Sequence, residues 1–179
     1  IFAANAQVCT PVDTFSDAGL YPTPEDLPCF EKDSAINQTI YFKNFNTVSG
    51  LTIEYLRVDS ITNMPCGAVY AVNKRNATFL TDEAGCISVF GTANDVVGQY
   101  KLGIYVTIKI SGIPTPVSGE AGAIAAQFNA GDFSYHVRIN EAGTVCPSVD
   151  TTAGATLITA ACPTLDSTAV YGVGINEIS

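Results

Sequence analysis

Leu102, Ile104, Val106, Ile108 and Ile110 occupy every second position of a run that opens at Tyr100, while Lys101, Thr107 and Lys109 take the other side. A period of two marks a β-strand with one face in a core. A strand of this length requires a second apolar layer opposite it. Other segments repeat the signal. Residues 36–45 are rich in strand formers, and residues 51–58 set Leu51, Ile53 and Tyr55 against Thr52, Glu54 and Leu56. Short strands are expected at 68–72 and 87–90, and weaker ones at 155–161 and 168–173. Phe133, Tyr135, Val137 and Ile139 alternate with Ser134, His136 and Arg138. Residues 120–128 suit either a short helix or a small-residue strand. No stretch carries a convincing period of 3.6, and Gly, Pro and Asn separate the strands. The expectation is an all-β fold, an Ig-like antiparallel β-sandwich with disulfide-pinned extended N- and C-terminal segments.

Composition narrows the class. Of the 179 residues, 47% are hydrophobic and 14% charged; an ordinary soluble domain has about 25% charged residues. That balance excludes a disordered chain and a coiled coil. The net charge of −9 opposes binding to nucleic acid or to anionic lipid. Without a run of 18 apolar residues, membrane insertion is not expected.

The cysteines stand at Cys9, Cys29, Cys66, Cys86, Cys146 and Cys162, with no C-x-x-C and one His in the chain. A zinc site is not expected. Disulfides are, and with them an oxidising location outside the cytoplasm. Six cysteines allow 15 pairings. Ease of local loop closure favours 9–29, 66–86 and 146–162, each adding about 3 kcal/mol through chain entropy. At the start, Ile1-Phe2-Ala3 reads as the end of an apolar signal segment, and Ala4-Asn5-Ala6 as a small-x-small cleavage pattern. The organisation read from this is an extended, disulfide-pinned segment at 1–34, with 1–6 a signal-peptide remnant. A sandwich at 35–145 follows, then disulfide-bracketed strands of the same domain at 146–174 and a linker at 175–179.

Residues 64–107 carry a resemblance. Met64-Pro65-Cys66-Gly67 and Tyr70 precede Gly85-Cys86-Ile87-Ser88-Val89-Phe90-Gly91-Thr92, and Gly98-Gln99-Tyr100 opens the long strand. This resembles the Ig-like domain of bacterial surface proteins, except that Ala93 stands where that pattern usually has proline. The flanking order also counts: Tyr21-Pro22, Leu27-Pro28-Cys29 and Leu56-Arg57-Val58-Asp59-Ser60-Ile61. The whole is similar to secreted surface proteins of the phylum Bacteroidota exported by type IX secretion. Gly174-Ile175-Asn176-Glu177-Ile178 resembles the lead into their removable C-terminal signal domain. The resemblance implies O-glycosylation at Asp-Ser/Thr-x sites, with Ser60, Thr151 and Ser167 as candidates.

Candidate chemistry is sparse. His136 lies on the polar side of its strand with no G-x-S-x-G and no second His, and is expected at the solvent surface. Glu25-Asp26 and Asp82-Glu83 point apart on extended backbone and read as solvated charge. Asp13, Asp17, Asp82 and Asp95 match no Ca²⁺-loop spacing. Tyr21, Tyr41, Tyr55, Tyr70, Tyr105, Tyr135 and Tyr171 read as core rim more than as a sugar-stacking platform, and Trp is absent. The expectation is a non-enzymatic extracellular structural or adhesive protein without catalytic residues, metal or cofactor. It is expected to form a homo-oligomer or surface filament by strand exchange. Ile1, Phe2 and Ala3, and Thr168, Ala169, Val170, Tyr171, Gly172 and Val173, are the segments expected to dock on a neighbour. The alternative is a glycan-binding module of a larger secreted protein.

Overall fold

The computed structural model describes residues 8–130 and 133–162. In chain order the elements are β1 (Gly19–Tyr21), β2 (Phe30–Glu31), β3 (Ala35–Lys43), β4 (Thr47–Val48), β5 (Leu51–Thr62), β6 (Ala68–Val72), β7 (Thr78–Leu80) and β8 (Ala84–Thr92). They continue with β9 (Gly98–Ile110), β10 (Val117–Glu120), α1 (Ala121–Gln127) and β11 (Tyr135–Asn140). The described residues form an all-β, Ig-like sandwich of two sheets. One runs β1-β3-β8-β6; the other runs β2-β11-β9-β5-β4, with β10 beside β9 and β7 beside β5. Pairing is antiparallel except between β2 and β11. The short strands β1 and β2 belong to the two sheets, so residues 19–21 and 30–31 are part of the sandwich.

The core forms where the sheets face each other. Tyr100 and Leu102 of β9 and Tyr135, Val137 and Ile139 of β11 meet Ile36 and Ile40 of β3, Tyr70 of β6 and Val89 of β8. Tyr100 closes this end, donating through its hydroxyl to the Val96 carbonyl at 2.6 Å. The strand on 51–62 departs from simple alternation. Register shifts fall between Ile53 and Tyr55 and between Val58 and Ser60. Each extra residue turns the following side chains over, so the buried positions are Ile53, Val58 and Ile61, at odd spacings of five and three. The ambiguous 120–128 segment is helical. The Glu120 carboxylate caps α1 by accepting from the Ala123 amide at 2.8 Å.

Gly91 marks a close approach inside the sheet: a Cβ there would stand 2.1 Å from the Gly67 carbonyl oxygen. Nearby, the Ala93 amide donates to the Ser34 carbonyl at 3.0 Å. Proline at that position has no N–H to give. Residues 155–161, expected as a strand, hold only a single bridge, Leu157 to Gln99. The 168–173 segment lies outside the described residues.

Candidate functional site

The disulfides differ from the local pairing expected above. They join Cys9 to Cys86, Cys29 to Cys146 and Cys66 to Cys162, at sequence separations of 77, 117 and 96. Loop entropy favours short closures in an unfolded chain, but the folded sheets decide which sulfurs meet. Cα–Cα distances of 6.1, 5.5 and 5.6 Å arise because the folded sheets bring together segments that are remote in sequence. Loops this long are worth about 4.5–5 kcal/mol each by chain entropy, taken singly.

Two of these bonds anchor the end of the sandwich where β9 starts. There the arms bury the outer face of β11, which alternation had assigned to solvent. His136 is 4% exposed and Arg138 3%. The Arg138 guanidinium donates to the carbonyls of Pro24 at 2.9 Å, Glu25 at 3.4 Å, Leu27, and Pro147 at 2.5 Å. One cation thus holds both arms. Asp95 does the same work nearby. It accepts from the amides of Cys66 at 3.1 Å and Ala161 at 3.3 Å, and from its neighbour Val96 at 2.8 Å. Burial raises its pKa, but these three donors and Tyr100 outweigh that and hold the carboxyl below its ordinary range. The Asn63 side chain adds a further link, donating to Ile158 and accepting from Ala160.

The third bond, Cys9 to Cys86, lays the N-terminal arm over the outer face of the four-stranded sheet. The Cys9 amide donates to Ser88 Oγ at 3.1 Å. Lys43 Nζ reaches Asp13 and Asp82 at 3.5 Å each and the Phe15 carbonyl at 3.1 Å. Desolvation lowers the Lys43 pKa, yet Asp82 and Asp13 together raise it above its ordinary value. Asp13 and Asp82 therefore share a cation, while Asp95 serves the far end of the sandwich. Among the described residues no three His, Cys, Asp or Glu side chains gather as a metal site.

The tyrosines do not form one platform. Tyr70 and Tyr135 are core residues, whereas Tyr105 is exposed on the outer face of β9. Tyr21 and Tyr41 gather with Phe15, whose ring stacks on Tyr21 at 3.9 Å and tilts toward Tyr41 at 6.1 Å. Of the glycosylation candidates, Ser60 is half-buried within β5, opposite Tyr105. Its neighbour Asp59 is committed to Arg57 and Thr107 at 2.6 Å each. Thr151 is exposed on a loop, and Ser167 lies outside the described residues.

At the other end of the sandwich is an apolar groove of about 310 Å³. Its floor is the inner face of β9 and β5: Ile104, Val106, Ile108 and Ile110 with Ile53, Leu56 and Val58. One wall is β1, the last strand of its sheet, through Gly19 and Leu20; the other is α1, through Ile124 and Ala125. Phe45 and Phe133 meet edge-on across one side at 6.3 Å. Buried Asn44, donating to the Phe79 and Leu80 carbonyls at 3.1 and 2.8 Å, anchors the start of the 44–49 loop.

Sequence reasoning missed this groove. Its signals were present in the mismatch between a long apolar strand and the Ala- and Gly-rich segment 121–126 that covers its second half. Ile1, Phe2, Ala3 and residues 168–173, the expected docking segments, lie outside the described residues. Comparison with protein-family models, curated proteins and solved structures finds no match to this chain.

Proposed function

We propose that this is an extracellular, non-enzymatic structural or adhesive protein that assembles with copies of itself, reaching the cell surface by the type IX route that its sequence resembles. The observation that carries the reading is the stapling of both arms to the sandwich by disulfides across 77, 117 and 96 residues. Such bonds persist outside the reducing cytoplasm. They suit a subunit that must keep its arms in place under load or proteolysis: Cys86 of β8 and Cys66 before β6 each hold one arm to the body, and Cys29–Cys146 joins the two arms to each other.

The test is electron microscopy of the protein released from cells without denaturant. Regular filaments of one subunit type are expected. Dispersed monomers would overturn the assembly reading. A second reading, a glycan-binding module, is favoured by the half-buried Phe15–Tyr21–Tyr41 cluster on the surface. Its mark is binding on a glycan array that Tyr41→Ala removes.

A further inference from the structure

The groove lies at one end of the sandwich, and the described chain leaves at the other. Leu157 bridges Gln99, and Cys162 is bonded to Cys66 beside Asp95. From Gln99 to Ile108 on the groove floor is about 30 Å of strand. Val96, Val97 and Leu157 are exposed at the exit end, at 52, 41 and 42%. Beyond Cys162 the sequence reads Ala169, Tyr171, Val173 and Ile175 at every second position. On a strand these stand on one face, about 7 Å apart. Ile104, Val106, Ile108 and Ile110 stand on the groove floor with the same spacing. Among the described residues β1 pairs only with β3 and lines the groove as the last strand of its sheet, the position that strand addition uses.

Resting on the assembly reading above, we propose that the groove between β1 and α1 receives residues 168–173 of a second copy. The segment pairs with the free edge of β1 and sets Ala169, Tyr171 and Val173 onto the β9 floor. Residues 1–3 are the weaker candidate. Their arm is anchored at Cys9 over the outer face of the other sheet, and their apolar residues Ile1 and Phe2 are adjacent in sequence, a spacing that does not match the alternate positions of the groove floor. The described chain leaves at the end opposite the groove, and a tail-in-groove contact that is neither reciprocal nor ring-closing builds a head-to-tail filament.

The experiment places a photoreactive residue in the full chain, Tyr171→p-benzoylphenylalanine, and maps its adduct in a mixture of isotope-labelled and unlabelled protein. The expected adduct joins two copies and falls on the groove, at Ile108, Ala125 or their neighbours. An adduct within one copy, or one outside the groove, overturns the proposal. Val173→Asp in the tail and Ala125→Arg in the groove wall are each expected to raise the concentration needed for assembly by tenfold or more, about 1.4 kcal/mol per decade. Circular dichroism and thermal unfolding establish that both variants fold. Mixed together they are expected to give one-to-one dimers and no filaments, since only one intact donor and one intact groove remain. Filaments from either variant at the wild-type concentration overturn the groove while leaving the assembly reading standing. Failure of the wild-type chain to assemble overturns both.

Discussion

The two ends of the sandwich share one strand and differ in what faces it. Where β9 begins, Tyr100 and Leu102 lie under the four-stranded sheet, at 0 and 3% exposure. Further along, Val106 and Ile110 are still buried, at 3 and 0%, but Ile104 and Ile108 on the same face lie beside α1 and an open groove and are half-buried. The same period-two pattern runs through both. Burial is therefore set by the reach of the opposing layer and not by the strand's own sequence. The covered end is also where Arg138, Asp95 and two disulfides gather the arms. One end is locked, and the other is left with apolar surface to bury.

The largest expected effect breaks the locked end. Replacing Cys29 and Cys146 together by Ala should cost about 4–5 kcal/mol in urea unfolding, the value for a long closed loop. A cost of 1 kcal/mol or less would mean that the arm is held by its hydrogen bonds alone. Next is a matched pair on β9. Tyr100→Ala should cost roughly 3–5 kcal/mol, as for other large buried aromatics. Ile108→Ala, already beside open space, should cost about 1 kcal/mol, below the usual range for a close-packed site. Equal costs would erase the distinction between the two ends.

Asp95 sharpens the comparison through pH. Its folded pKa is lowered, so its contribution is fully present above the unfolded value, about 3.9, and is lost as pH falls through the folded one. Asp95→Asn should cost about 2 kcal/mol at neutral pH and should flatten the loss of stability below about pH 4. An unchanged acid slope would show that other carboxylates set it. Thermal melts at a series of pH values read both effects.

How far the sequence carried these features follows from the range of the physics. The all-β class and β3, β9 and β11 were legible because strand-former content, which marked β3, and alternation, which marked β9 and β11, are both local. The inner face of β5 was not, because bulges after Ile53 and Val58 reset the alternation and only pairing with β9 reveals them. His136 and Arg138 read as solvent-facing because the arms that cover them come from residues 22–29 and 146–150, more than a hundred positions away for the first of them. The cysteine pairing failed for the same reason. The groove was hidden because no local pattern says where an opposing sheet stops. Its trace was the small side chains of 121–126, which resemble a weak strand until the Glu120 cap fixes them as a helix.

The smallest expected effect acts on the open end. Ala125 faces the groove from α1, and Ala125→Leu adds three carbons where there is room for them. A cavity-filling change of this kind commonly adds about 0.5–2 kcal/mol; here a gain near 0.5 is expected, because the groove is open to water and part of the new side chain stays wet. The same substitution occupies space that a docked strand needs. Monomer stability and assembly should thus move in opposite directions, the first up slightly and the second down. At the locked end no such trade is available, since Tyr100 and Val137 are fully buried and any enlargement there is overpacking. Should Ala125→Leu strengthen assembly along with the monomer, the groove would be a packing defect and not a receptor.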